Sequence, residues 1–122
     1  MTGEEKRLLG RWGEAQVAAD MRKRGWVILA SGYYCRFGEI DLIAENGTYL
    51  SFTEVKLRKD KSHGLAAEAV DARKQRRLRL TAELYLAQNP TQLQPRFDVA
   101  EVYAPQGYET EHPQIHYIEN AF

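Results

Sequence analysis

The chain of 122 residues has little cysteine and no long apolar run, which are features of disulfide-rich and membrane proteins. Its one cysteine, Cys35, cannot form an internal disulfide, so a reducing, cytoplasmic location is expected. Apolar runs are only a few residues long, which predicts no transmembrane helix and no membrane partner. The polar first residues do not resemble a secretory signal, and no glycine-rich loop indicates a nucleoside triphosphatase.

The formal net charge of zero hides an uneven distribution. Residues 1–79 hold sixteen of the seventeen Lys and Arg residues against eleven Asp and Glu, whereas residues 80–122 hold one basic residue, Arg96, and six acidic ones. The two parts therefore carry charges of +5 and −5. The basic part can present a positive face to a polyanion, although a mixed, solvated surface would have the same composition.

Apolar residues make up 43% of the sequence, which predicts one globular domain over residues 1–122. Its core is expected at about 4–103, with an acidic C-terminal extension at 104–122. The order of elements is α β β β α β β, which indicates an α/β fold with a central mixed sheet flanked by helices. Predicted helices cover 4–24 and about 65–88, and predicted strands cover 26–30 (short and buried), 36–45, 48–57, 96–103 and 115–118.

The dipeptide Asn46-Gly47 predicts a two-residue hairpin turn of type I′, because both central residues of that turn need a positive φ. Glu45 is then expected opposite Thr48, and Asp41 opposite Phe52. Alternation along the two strands collects three carboxylates and one lysine on one face of the hairpin. These residues are Glu39, Asp41, Glu54 and Lys56.

Carboxylates gathered in this way need a compensating charge. Two of them about 4 Å apart repel by about 4 kcal/mol at an effective dielectric of about 20. A divalent cation would offset this repulsion, and hard oxygen ligands suit Mg²⁺ or Mn²⁺. Asp41 and Glu54 would bind the ion, the carbonyl of Val55 would complete the site, and Lys56 would orient or deprotonate a water. The alternative is an ordinary solvent-facing ladder of Glu and Lys.

Two hairpin motifs are specific in combination: Gly38-Glu39-Ile40-Asp41-Leu42-Ile43-Ala44 and Phe52-Thr53-Glu54-Val55-Lys56. In them the chain resembles the YraN family of small bacterial proteins, which is similar to archaeal Holliday-junction resolvases and belongs to the restriction-endonuclease-like (PD-(D/E)XK) nuclease superfamily. The resemblance reaches about residue 103 through further segments, namely Gly10-Arg11-Trp12-Gly13-Glu14-Ala15, Glu68-Ala69-Val70, Lys74, Arg76-Arg77-Leu78 and Arg96-Phe97-Asp98-Val99.

The resemblance implies a restriction-endonuclease-like fold and a role for four residues. Asp41 matches the first metal-binding aspartate of the superfamily, and Glu54 and Lys56 match its Glu-x-Lys pair. Glu14 matches the glutamate that resolvase-like members direct from their first helix toward the metal. Ile40 stands where the superfamily pattern has proline. Junction resolvases cut two strands symmetrically as dimers, so a homodimer is implied as well.

Three further positions have two interpretations each. Glu14 lies at the margin of an apolar helical stripe, where an unpaired carboxylate is costly, or it is an exposed residue paired along the helix. Lys74 interrupts the apolar stripe of the second helix, and it either extends into solvent or points at an acidic site or a phosphate. Asp98 is expected to pair with an arginine or to cap a loop.

Positive charge is concentrated near the predicted site, since residues 73–79 include five Lys and Arg. Phosphate contact is the functional interpretation and would make binding depend on salt, whereas a solvated helix face is the alternative. The predicted nucleic-acid-binding residues are Arg58, Arg73, Lys74, Arg76 and Arg77.

These observations predict a nuclease dependent on Mg²⁺ or Mn²⁺ that acts on DNA, branched or single-stranded, in repair or recombination. Its metal ligands would be Glu14, Asp41 and Glu54, its catalytic cation Lys56, and Glu39 a candidate for a second metal. Two alternatives stay open. One is a nucleic-acid-binding module without turnover, and the other is an adaptor that docks another protein through residues 105–122.

Overall fold

The computed structural model describes residues 1–60 and 70–122, which contain two α-helices, a short 3-10 helix at Gly107–Glu109 and five strands. The helices are α1 (Gly3–Lys23) and α2 (Ala72–Gln88). The strands are β1 (Val27–Cys35), β2 (Gly38–Glu45), β3 (Tyr49–Arg58), β4 (Gln94–Tyr103) and β5 (Gln114–Ile118). This order confirms the predicted sequence of elements, including the last strand.

The five strands form one mixed sheet in which they lie side by side in chain order. The pairs β1–β2, β2–β3 and β4–β5 are antiparallel, whereas β3 and β4 are parallel and α2 lies between them in the chain. Val99 and Ala100 are consecutive on β4 and belong to different apolar clusters, the first with Leu78 of α2 and the second with Val17 of α1. The two helices therefore cover opposite faces of the sheet.

The helix α2 begins at a side-chain cap. Asp71 has extended backbone angles (φ −72°, ψ 174°), and its carboxylate accepts the N–H of Lys74 at 2.8 Å. The predicted start of this helix at about Leu65 is wrong, because residues 70 and 71 are not helical and α2 begins at Ala72. Residues 65–69 of that prediction lie outside the described residues.

The hairpin of β2 and β3 is wider than predicted. Glu45 pairs with Leu50, so the predicted pairing of Glu45 with Thr48 is wrong. A type I′ turn needs a positive φ at both Asn46 and Gly47, but of the two only Gly47 has one, at 91°. Asn46 Oδ1 instead accepts the N–H groups of the two residues after Gly47, which closes a longer loop.

The wider loop changes the neighbours of the predicted site. Ile43 pairs with Phe52, so the predicted pairing of Asp41 with Phe52 is wrong, and Asp41 lies just beyond the last pair, Leu42 with Thr53. Asp41 and Glu54 nevertheless lie near one another at the end of the paired segment, since the charge of Glu54 acts on Asp41.

The strand β1 is a long edge strand rather than the short, buried strand predicted. It has nine residues, and exposed and half-buried positions alternate along most of it. Its pairing with β2 is irregular between Ile28 and Ala30. An edge position explains the exposure, because only one side of the strand has a partner.

Side-chain alternation is interrupted in β2 at Asp41. Strict alternation would place Ile40 with Leu42, but Ile40 packs beneath α2 together with Ile43, whereas Leu42 packs beneath α1. Gly32 lies across from Asp41 in the β1–β2 register and has a φ of 73°, a conformation that favours glycine. The two strands thus change face together at the position that holds the aspartate.

No helix in the described part of the chain combines the length and the apolar character needed to cross a membrane.

Candidate functional site

The strands β2 and β3 separate at Asp41. In the described residues their pairing ends at Leu42 and Thr53, while β3 continues beside β4 as far as Arg58. Asp41 Oδ2 accepts the N–H of Val55 at 2.8 Å, where a regular ladder would have a backbone carbonyl of β2. The N–H and C=O of one strand residue point to the same side, so the Val55 carbonyl also faces this opening, which we call the strand gap.

Glu54 lies on β3 beside the strand gap and is only 7% exposed. Its Oε1 accepts a hydrogen bond from Lys74 Nζ at 2.6 Å, and Lys56 Nζ is 3.7 Å from the same oxygen. Of the two interpretations of Lys74, the structure supports the one in which it points at an acidic site. The buried carboxylate of Glu54 is therefore paired with two ammonium groups, one from Lys56 on β3 and one from Lys74 on α2.

Two further carboxylates add negative charge around the strand gap. Glu14 of α1 is half-buried, and burial together with the charges of Glu39 and Glu54 raises its pKa. Burial also raises the pKa of Asp41, and the charge of Glu54 raises it further, to about 7, although the N–H of Val55 acts against this. Several carboxylates thus lie close together in a partly desolvated site.

The two lysines respond to this environment in opposite directions. Burial and the neighbouring Lys74 ammonium lower the pKa of Lys56, and Glu54 offsets only part of the effect. Burial acts downward on Lys74 as well, but its hydrogen bond to Glu54 and the charge of that carboxylate outweigh burial and raise its pKa. Lys56 is therefore the lysine that gives up its proton more readily.

The donor atoms at the strand gap fit a hard divalent cation. Asp41, Glu54 and the Val55 carbonyl could supply oxygen ligands, and a cation would offset the charge of Glu54, which together with burial raises the pKa of Asp41. The described residues contain no group of three or more His, Cys, Asp or Glu side chains already arranged to hold a metal. Glu14 therefore contributes to the electrostatics of the site, and its place as a ligand stays a prediction.

A solvent-open cleft of about 330 Å³ leads to these carboxylates. It lies between the β1–β2 turn and the first half of α2. Its lining residues are Phe37, Gly38, Glu39, Asp41, Glu54, Lys74, Arg77 and Leu78. The cleft gives solutes access to Asp41 and Glu54 from the side of α2.

The predicted nucleic-acid-binding residues occupy three different environments. Arg73, Arg76 and Arg77 are exposed on α2, and Arg77 also lines the cleft. Lys74 is engaged with Glu54. Arg58 is largely buried, and its Nε is 3.7 Å from the carboxylate of Glu101.

Glu101 of β4 was not singled out by the sequence, although it is 2% exposed and neighbours Lys56 across the parallel pair. The alternation of Val99, Glu101 and Tyr103 along a predicted strand is the signal that could have placed it on this face. Asp98, by contrast, pairs with an arginine as predicted, since Arg96 donates to both of its oxygens.

The fold and the site define a class: mixed α/β proteins in which two neighbouring strands separate at an aspartate, beside a buried glutamate that is contacted by two lysines. The model of the uncharacterised protein family UPF0102 matches residues 13–102, and the chain belongs to that family. The matched range includes the strand gap, both lysines, all of α2 and about half of α1.

The chain is similar over nearly its whole length to a UPF0102 protein of Caldanaerobacter subterraneus subsp. tengcongensis, with 41% identity over 119 residues, or 96% of each chain. A UPF0102 protein of Herpetosiphon aurantiacus is 49% identical over 41 residues, 34% of this chain and 33% of that protein. A UPF0102 protein of Prochlorococcus marinus is 43% identical over 37 residues, which are 30% of this chain and 29% of that protein. The matches to the last two thus span about a third of those relatives.

Proposed function

We propose that the protein hydrolyses phosphodiester bonds of DNA, branched or single-stranded, with Mg²⁺ or Mn²⁺ as cofactor. The single observation that supports this most is the strand gap, where Asp41 accepts the N–H of Val55 and lies near the carboxylate of Glu54. The restriction-endonuclease-like fold, the likeness to junction resolvases, a homodimer and a cytoplasmic location belong to the same proposal.

The residues of the chain have separate tasks in this proposal. A divalent cation would act as a Lewis acid and lower the pKa of the attacking water. Asp41, Glu54 and the Val55 carbonyl would hold it, with Glu14 as the candidate fourth ligand. Lys56 Nζ, whose pKa is lowered, would orient the attacking water or accept its proton, and would stabilise charge on the phosphate oxygens.

The exposed face of α2 is the surface that best fits a nucleic-acid backbone. Arg73, Arg76 and Arg77 are exposed there, and Arg77 lines the cleft that leads to Asp41. Guanidinium groups bind phosphate oxygens in pairs of parallel hydrogen bonds. This arrangement would align a backbone along α2 with one phosphate at the cleft.

The test is a cleavage assay with labelled duplex, single-stranded, flap and four-way-junction DNA in Mg²⁺ or Mn²⁺. We expect wild type to cut in a metal-dependent way, and Asp41→Asn and Lys56→Met to lose at least about a hundredfold in rate, as loss of a transition-state charge does. Glu83→Gln, an exposed change on α2, is the matched control and should cut like wild type.

Absence of cleavage, together with calorimetry that shows no Mn²⁺ binding to wild type, would contradict the proposal. Retained DNA binding in that case would favour the nucleic-acid-binding module. Loss of a protein complex on deletion of residues 105–122, with DNA binding unchanged, would favour the adaptor.

A further inference from the structure

Lys74 Nζ is 2.6 Å from Glu54 Oε1, the shortest distance among the ion pairs described. The lysine lies in the first turn of α2, and its side chain is about one third exposed in the lining of the cleft. Lys74 is therefore bound to a buried carboxylate in this structure, and its long side chain could also extend into solvent.

The charges around the strand gap do not balance through these lysines alone. The carboxylates of Glu14, Glu39, Asp41 and Glu54 supply four negative charges, whereas Lys56 and Lys74 supply two positive charges and Arg11 acts on Glu14 as a third. A divalent cation between Asp41 and Glu54 would replace the function of Lys74 as counter-ion and would repel its ammonium group. The ammonium would then lie free at the cleft, beside Arg77.

We propose that Lys74 is an exchangeable counter-ion: it neutralises Glu54 while no metal is bound, and on metal binding it leaves Glu54 to contact a phosphate of the nucleic acid. This inference rests on the proposed function, because it needs a metal at the strand gap. Its consequence is that metal binding adds one cationic contact to the nucleic-acid surface.

The exchange has a direct spectroscopic readout in the full chain labelled with ¹⁵N-lysine. The Lys74 NH₃⁺ signal is identified by its absence in Lys74→Met. We expect it to be distinct without metal, because the hydrogen bond to Glu54 slows proton exchange with water, and to shift toward the position of exposed lysines as Mg²⁺ is added. Lys74→Met should also bind Mn²⁺ more tightly in calorimetry, on the order of tenfold, because a competing positive charge is gone.

Binding of a single-stranded oligonucleotide, followed by fluorescence anisotropy with and without Ca²⁺ in place of Mg²⁺, tests the second half of the exchange. We expect Lys74→Met to weaken binding by a clearly larger factor with Ca²⁺ than without metal, because the wild-type ammonium is released to the phosphate only when metal occupies the strand gap. Arg77→Met, one turn along the same helix, is the matched control and should weaken binding equally in both conditions. Thermal unfolding checks that both variants are folded.

The outcomes separate this inference from the proposed function. Wild type that binds Mn²⁺ while the Lys74 signal stays in place would overturn the exchange and leave the metal site intact. Looser Mn²⁺ binding in Lys74→Met would also overturn it, because Lys74 would then position Glu54 for the metal. Wild type that binds no Mn²⁺ would overturn both.

Discussion

Two clusters of charged side chains lie in the central strands, and they differ in how each carboxylate is satisfied. In the Asp98 cluster, Asp98 is 4% exposed and accepts hydrogen bonds from Ser51 Oγ, from the guanidinium of Arg96 and from the N–H of Asn120 at 2.8 Å. At the strand gap, Asp41 accepts the N–H of Val55 and stands near other carboxylates.

The difference supports a structural role for the Asp98 cluster and is consistent with the function proposed for the strand gap. Burying a charge is tolerated when donors and an opposite charge satisfy it, and the Asp98 cluster meets this condition. It also fixes the C-terminal segment, because the Asn120 N–H binds Asp98 and the ring of Phe122 stacks on Phe97. The strand gap keeps like charges together at a cost in stability, which is typical of sites that bind a ligand.

The largest effect is expected from Asp98→Ala. This change leaves the Arg96 guanidinium without its main partner in a largely buried place, so the free energy of unfolding should fall by about 3–5 kcal/mol. Urea unfolding of the variant beside Glu83→Gln measures it. A loss below about 1 kcal/mol would mean that the Asp98 cluster is not the structural one.

A smaller, pH-dependent effect is expected from Asp41→Asn. The folded protein holds the Asp41 proton up to about pH 7, whereas the unfolded chain releases it near 3.8, so wild type loses stability as the pH rises from about 4 to 7. A pKa difference of this size corresponds to at most about 4 kcal/mol of stability. We expect the observed loss to be smaller than this limit, because Asp41 is partly solvated. Unfolding at several pH values without metal should show this slope in wild type and a reduced slope in Asp41→Asn. Equal slopes would contradict the crowding of charge at the strand gap.

The smallest effect is expected from added metal. At ten times its dissociation constant, Mg²⁺ should raise the free energy of unfolding of wild type at pH 7 by about 1.4 kcal/mol, through binding to the folded state alone. Asp41→Asn and Glu54→Gln should lose this increment. A conservative Asp98→Asn variant, if folded, should keep it, which would show that the two clusters are independent.

Most elements and the motif residues were predictable because each depends on local pattern. Five strands, two helices and their order follow from apolar periodicity and from turn residues. The pairing of Asp98 with an arginine was also predictable, since Arg96 is two residues away on the same strand and the same face. Asp41 and Glu54 were singled out by motif and alternation alone.

The register of the hairpin was not predictable, because the side chain of Asn46 forms a longer loop than its dipeptide favours. The start of α2 was missed for a similar reason. The apolar pattern continued before it, and only the capping geometry of Asp71 shows where the helix begins. Both errors come from side-chain hydrogen bonds that compete with regular backbone structure.

By itself the sequence determined an α/β chain with an acidic hairpin, a basic second helix and membership of one family, since these depend on residue types and their spacing. Tertiary structure alone decided that Asp41 takes the Val55 N–H, that Arg58 is buried against Glu101, and that Lys74 reaches Glu54. The physical reason is that charges interact through space. Residues 20 positions apart become partners only when the helix is laid across the sheet.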